Sequence, residues 1–468
     1  MNPIESMLHL IGNTPMLRIT GFDTGPCELF MKLENRNPGG SISDRGARAM
    51  IEAAESEGWI SPGDTLIEAT TGNTGVGLAL VAARKGYALV LVVPESVNPD
   101  KVLQLRAMGA EVRLARSDVD LDHPAHYVSI ARRLANELPG SRYLDQQANP
   151  ANARAHEEGT APEMWEQMQR DMDAFVCGAG SGATISGCAR FFRKVNAAVE
   201  IVLADPEGSV YASAVEGAGH GPGPGSSLVE DIGGRSVPRN LDLGLINSTY
   251  TVSDVEASTA LRQLLMLEGI LGGISTGVHL AAALEYCRMQ STPKRVVSLV
   301  CDSGYRVLST AYDESWLLDR GLVPRKAHGD LRDLITHRAD DGGVVSVSPE
   351  DTLLSAYTRI RMFDVSQLPV LEGGRIVGLI DESDLLLAVY DNRKYFDYPV
   401  RDFMITRLEK VDPNASISSL LPVFRGDHVA IIADDSSFYG LITQVDLIDH
   451  LRKTMQDTSD TDQDLNHA

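Results

Sequence analysis

The sequence predicts an α/β protein followed by a smaller α+β repeat, and three observations carry that reading. Between Leu66 and about Leu318, short apolar runs such as Ala88–Val93, Ala174–Gly178, Glu200–Ala204 and Val296–Cys301 alternate with segments of helical pattern, as parallel strands joined by crossover helices do. A cluster of Pro, Lys, Arg and Gly from Val323 to Asp330 then interrupts the pattern. Two units of about 60 residues follow, and their segments correspond in order. The expected division is a first domain over 1–322, a linker at 323–330, two small units at 331–393 and 394–456, and an acidic tail at 457–468 too poor in apolar residues to order itself.

A chain of 468 residues with 43% hydrophobic content can fill two or three packed cores. Its five cysteines are odd in number, scattered and without a Cys-x-x-Cys spacing, so they suggest neither a disulfide framework nor a zinc site, and a reducing cytoplasm fits them. A formal net charge of −22 opposes nucleic acid and acidic membrane surfaces. The sequence contains no run of about 18 apolar residues and no leader pattern at Met1–Leu10. His123, His156 and His220 lack the spacing of metal ligands, so no metal is expected.

The chemistry-bearing segments come in chain order. In Glu34-Asn35-Arg36-Asn37-Pro38-Gly39-Gly40-Ser41-Ile42-Ser43-Asp44-Arg45, the plain reading is a Gly-Gly turn opening a helix, with Ser41 or Asp44 as cap. Thr65 to Gly75 reads as a strand, the hydroxyl-rich loop Thr70-Thr71-Gly72-Asn73-Thr74 and a helix starting near Thr74, whose free N–H groups favour an anion unless the loop is only a cap. Cys177-Gly178-Ala179-Gly180-Ser181-Gly182-Ala183-Thr184 leaves a strand and enters a helix running through Phe191 or Phe192, and its small residues let backbone N–H groups cradle a phosphate. The rival reading is a dinucleotide fingerprint, Gly178-x-Gly180-x-x-Ala183, with Asp205 about 20 residues further on. Leu144–Pro150, Val229–Gly233, Glu268–Gly277 and Cys301–Thr310 complete the set.

Together, over roughly residues 5 to 320, these segments resemble fold-type II (tryptophan synthase β-like) pyridoxal phosphate (PLP) enzymes, in particular the cystathionine β-synthase and O-acetylserine sulfhydrylase families. The resemblance implies that position 43 belongs to the lysine that forms the Schiff base, and here it is serine. It implies that Thr70, Thr71, Gly72 and Thr74 hold the substrate carboxylate, with Gln146 beside it. Asn73 would bond the cofactor's phenolic oxygen, Gly180, Ser181, Gly182, Ala183 and Thr184 its phosphate, and Ser275 its pyridine nitrogen. Asp231 stands where the family has a glycine, which puts that loop's conformation in question. Lys32 reads as a structural or salt-bridged strand residue rather than a substitute amine.

The repeat separates the two families. Val345–Pro349, Gln367–Val370 and Ile376–Ile380 are matched by Val411–Pro413, His428–Ile432 and Tyr439–Asp446, and the pair resembles CBS domains, which sulfhydrylases ordinarily lack. Such modules imply a site for S-adenosylmethionine or an adenosine nucleotide, with Thr443 and Asp446 on the ribose and Val365, Ser366 and Gln367 on the opposite wall; the alternative is a pair that only packs or dimerises. The acidic Asp381–Asp384 start disfavours a phosphate at the first copy.

The implied activity is β-replacement, L-serine plus L-homocysteine to L-cystathionine and water, in a cytoplasmic homo-oligomer without haem, since Ile11–Pro15 begins the fold almost at once. Serine has no amine and is a weak base, so the chain should hold PLP non-covalently and turn over poorly or not at all. Ser43 reads as an engineered trapping substitution; the alternatives are a natural paralogue kept for sensing ligands or, at the level of activity, a cysteine synthase.

Overall fold

The computed structural model describes residues 4–217, 228–426, 428–434 and 436–452; His220 and the 457–468 tail lie outside them. The chain forms two compact units that divide between Val323 and Pro324.

The first unit holds two sheets. Strands β1 (Met16–Ile19), β2 (Glu28–Leu33), β7 (Ala174–Cys177), β8 (Glu200–Pro206), β9 (Ser248–Val252) and β10 (Arg295–Val300) build one in the order β1-β2-β10-β7-β8-β9, with only the β1–β2 pair antiparallel. Strands β3 (Thr65–Ala69), β4 (Ala88–Pro94), β5 (Glu111–Ala115) and β6 (Ser141–Tyr143) build a wholly parallel sheet in the order β5-β4-β3-β6. The continuous apolar runs follow from burial on both faces. In β10, Val296 and Val300 join one core cluster while Val297 and Leu299 join the cluster on the other side. In such sheets the loops beyond the carboxyl ends of the strands gather ligand groups, and here the segments after β3, β7 and β10 meet at one cavity.

The helix Ser43–Ser56 starts at Ser43 itself, and neither Ser41 nor Asp44 caps it: its cap is Ile42, without a side-chain bond. Asp44 instead turns back to accept from Gly39 N at 2.5 Å. Beneath this start lies a buried ionic cluster. Arg45 Nε meets Glu34 Oε2 at 2.8 Å, Arg45 Nη1 meets Glu163 Oε1 at 2.7 Å, and Lys32 Nζ meets Glu163 Oε2 at 2.9 Å. Lys32 is fully buried and also donates to Thr14 O and Gln167 Oε1.

The second unit repeats one motif. In the first copy the helix Leu353–Phe363 precedes the antiparallel hairpin β11 (Gln367–Glu372) and β12 (Arg375–Asp381), and the helix Glu382–Asp391 follows. In the second, β13 (Lys410–Val411) and the helix Leu420–Arg425 precede the hairpin β14 (Ala430–Ala433) and β15 (Phe438–Ile442), with helix 444–452 after it. The 324–330 stretch packs on this unit: Arg325 Nη2 donates to Thr336 O, and Lys326 O accepts from Arg338 Nη1. Among the described residues no helix is long and apolar enough to cross a membrane.

Candidate active site

A cavity of about 730 Å³ opens where the carboxyl ends of both sheets face each other. Its walls include Ser43, Thr70, Thr71, Asn73, Thr74, Gln146, Gly180, Ser181, Gly182, Thr184 and Ser275, brought together from segments up to about 230 residues apart. Gly72 and Ala183 stand just behind the wall. Gly72 N is held by Thr70 Oγ1 at 3.0 Å, and the Ala183 methyl is buried in the core.

The floor is the turn after β7. Gly178 N donates to His279 Nε2 at 2.7 Å, and His279 Nδ1 lies 3.2 Å from Leu299 O. Burial depresses this imidazole to about 4, so it is neutral, with Nε2 as acceptor and the proton on Nδ1. The glycines are steric requirements. A Cβ on Gly178 would come within 2.7 Å of His279 Nε2, one on Gly180 within 2.4 Å of Asp231 O, and Gly182 sits at φ +78° against Leu241. The helix Ala183–Val195 then begins behind Gly182, which has no side chain to cap it; Ser181 Oγ accepts from Ala183 N at 3.4 Å, and the N–H groups after it carry no side-chain cap. Asp205, the acid a dinucleotide site would need, is 1% exposed and turned to Ala212 N at 2.8 Å, away from the lining.

On the opposite wall the helix Asn73–Lys85 starts one residue earlier than expected, after Gly72 at φ +141°. Gln146 braces the hydroxyl loop: its Nε2 donates to Ala69 O at 2.8 Å and its Oε1 accepts from Thr74 Oγ1 at 2.5 Å. Behind it, fully buried Glu68 accepts from Ala69 N and Gln146 N, and burial pushes its carboxyl up to about 8, so it is protonated at neutral pH.

Ser275, near the start of the helix Ile274–Arg288, is 1% exposed, lines the cavity, and its Oγ has no hydrogen-bond partner. A buried hydroxyl left unmade costs free energy unless a ligand satisfies it. Asn73 Nδ2 donates to Asp302 Oδ2 at 3.1 Å, and its Oδ1 accepts from Arg306. Burial raises Asp44 and Asp302 each to about 6; nearby Asp231 raises Asp302 further, while Arg306 works against both shifts.

Ser43 is half-buried at the cavity wall, and among the described residues no lysine lines that cavity. Lys32 is consumed by the cluster below. Lys101, 1% exposed, is held by Glu230 at 2.8 Å and Asp231 at 3.0 Å; burial opposes its charge, but these carboxylates outweigh it and keep it an ammonium. Asp231 adopts no positive φ, so its position does not require glycine, and its side chain serves this ion cluster instead. Lys101 carries no sequence signal as part of the site, and Asp302 and Arg306 lie in the singled-out Cys301–Thr310 segment and His279 just beyond Glu268–Gly277 without any mark of what they touch.

In the second unit Asp446 Oδ2 accepts from Thr443 N at 2.7 Å and Thr443 Oγ1 at 2.6 Å, while Oδ1 accepts from Thr336. Val365 packs with the first copy's core, Ser366 O accepts from Glu382 N, and Gln367 opens β11. Leu447, beside Asp446, belongs to the other copy's cluster.

Comparison with known proteins agrees with this geometry. A family model described as pyridoxal-phosphate dependent enzyme matches residues 7–302, and the CBS domain matches 332–391 and 400–453. The chain is 32% identical to a cystathionine beta-synthase of Dictyostelium discoideum over 97% of its own length and 93% of the relative's. It is 38% identical to cysteine synthase 1 of Neurospora crassa over 68% and 86%. The solved O-acetylserine dependent cystathionine beta-synthase from Helicobacter pylori superposes with a TM-score of 0.60 at 32% identity, covering 66% of this chain and 99% of that one. A fold-type II catalytic unit with a cavity at its strand ends, followed by a CBS pair, and near-full-length similarity of this degree establish the conclusion: the chain belongs to the cystathionine β-synthase family of pyridoxal-phosphate-dependent enzymes.

Proposed function

We propose that this chain binds pyridoxal phosphate and an amino acid without a covalent tether, and that Ser43 leaves it inactive or severely impaired in the reaction of L-serine and L-homocysteine to L-cystathionine and water. The observation that carries this reading is a cavity lined by Ser43, the Thr70–Thr74 loop, the Gly180–Thr184 turn and Ser275, with no lysine among its described walls.

The residues present fit the cofactor. The orphaned Ser275 Oγ supplies a hydroxyl for a ring nitrogen, and the start of the helix Ala183–Val195, where only Ala183 N meets a side chain, offers N–H groups to a phosphate. When bound, PLP supplies an electron sink that lets an amino acid exchange its β-substituent. A neutral Ser275 suits that reaction better than a carboxylate would, because a hydroxyl does not hold the ring protonated. Thr70, Thr71 and Thr74 bind the substrate carboxylate, Thr74 through its backbone N–H because its hydroxyl donates to Gln146 Oε1. Ser43 can neither form an imine nor take the α-proton near neutral pH; a missing general base alone costs on the order of 10²–10⁴-fold in rate.

A cysteine synthase activity is the second reading, favoured by the 38% identity to the Neurospora enzyme. The CBS pair, in a homo-oligomer, would take S-adenosylmethionine or another adenosine ligand, with the Thr443–Asp446 turn on its ribose. Borohydride treatment after PLP addition tests the tether: intact mass should show no cofactor adduct on this chain and one adduct on S43K. An adduct on the unaltered chain would sink the proposal.

A further inference from the structure

We propose that Asp302 and Arg306 are positioning residues that lock the Asn73 amide in one orientation, so that its remaining N–H faces the phenolic oxygen of the cofactor. The inference rests on the reading above that Asn73 binds PLP.

Asn73 is the first residue of its helix and lines the cavity. Its amide has two ends that chemistry can tell apart, and each meets a charged group of only one kind. The carboxylate of Asp302 accepts from Nδ2 at 3.1 Å, whereas the guanidinium of Arg306 donates to Oδ1. A carboxylate has no donor and a guanidinium no acceptor, so a half-turn of the amide would set N–H against N–H and oxygen against oxygen. Both partners are buried, Asp302 at 1% and Arg306 at 5% exposure, and water cannot relieve that mismatch. One Nδ2 hydrogen remains, on a residue that lines the cavity.

Arg306 and the residues flanking Asp302 anchor the loop ahead of Ser43. Arg306 also donates to Gly39 O, Ile42 N donates to Cys301 O at 2.8 Å, and Ser303 N donates to Gly40 O at 3.0 Å. The clamp therefore couples the Asn73 amide to the turn that delivers position 43. An N–H at the phenolic oxygen favours the phenolate, whereas an amide oxygen there would favour the neutral phenol.

The test is a titration of the chain with PLP, reading the dissociation constant and the balance of the phenolate and neutral-phenol absorption bands. Asp302→Ala, Arg306→Gln and Asn73→Ala should each weaken binding by about three- to tenfold, the worth of one hydrogen bond, and shift the balance toward the neutral phenol. Arg306→Lys should retain part of the phenolate band. Asp302→Ala added to Asn73→Ala should change nothing further. Should Asp302→Ala not fold, Asp302→Asn supplies the comparison at equal size. Normal spectra in the clamp variants, or effects that add fully to those of Asn73→Ala, would overturn the proposal. Failure of the unaltered chain to bind PLP at all would instead overturn the cofactor reading beneath it.

Discussion

Replacing Glu68 by glutamine should flatten the pH dependence of stability in the catalytic unit. Glu68 lies in β3 behind the substrate loop, fully buried, and accepts from Ala69 N at 3.0 Å and Gln146 N at 3.2 Å. Burial is the dominant influence and raises its carboxyl from 4.5 to about 8; the N–H groups of Ala69, Gln146 and Asp145 oppose the shift and the Asp145 charge adds to it. Between those values the folded carboxyl keeps its proton while the unfolded one has lost it. The native state thus binds more protons, and stability falls as pH rises, by about 1.4 kcal/mol per unit. From pH 5 to pH 8 this sums to on the order of 4 kcal/mol. Glutamine is of the same size and cannot ionise, but it keeps only one of the two acceptors that Ala69 N and Gln146 N use, a cost that does not change with pH. In urea unfolding of the full chain, followed through the catalytic unit's transition, Glu68→Gln should lie below the parent near pH 5, by about 1–3 kcal/mol for the N–H left unpaired, and should gain on it by on the order of 4 kcal/mol by pH 8. Other acids titrate in both proteins, so the difference between them isolates Glu68. Parallel stability profiles across that range would refute the reasoning.

Three further outcomes follow from the same geometry. Gly180→Ala should destabilise by about 1–3 kcal/mol in denaturant unfolding, because its Cβ would lie 2.4 Å from Asp231 O and the loop must move. Lys101→Met should cost about 3 kcal/mol by the same measurement, since it leaves Glu230 and Asp231 facing each other without their cation; a cost under 1 kcal/mol would show the cluster to be solvated. Ser275→Ala should raise the thermal midpoint of the unliganded chain, having removed an unbonded buried hydroxyl, and weaken PLP up to about tenfold by fluorescence titration.

The parallel α/β plan was legible because strands buried on both faces leave unbroken apolar runs, as in β4 and β10. The glycine turn at 178–182 was legible because only small residues fit where His279, Asp231 and Leu241 approach, although none of those neighbours could be named. The hydroxyl loop likewise disclosed its chemistry but not its bracing by Glu68. What stayed hidden was pairing at long range. A lysine at 101 reads like any helix-surface charge until the fold sets Glu230 and Asp231 on it, and an asparagine at 73 carries no mark of Asp302 and Arg306, more than 220 residues away. Asp231 shows the converse: position in a motif suggested a backbone requirement that its φ does not have.

The central claim is that one side chain separates this chain from its family's reaction. Its most direct test is cystathionine formation from L-serine and L-homocysteine by the unaltered chain and by S43K, each saturated with PLP. Little or no product is expected from the first and a gain of at least about 10²-fold in the second. Turnover by the unaltered chain equal to that of S43K, or no activity in S43K despite bound cofactor, would contradict it.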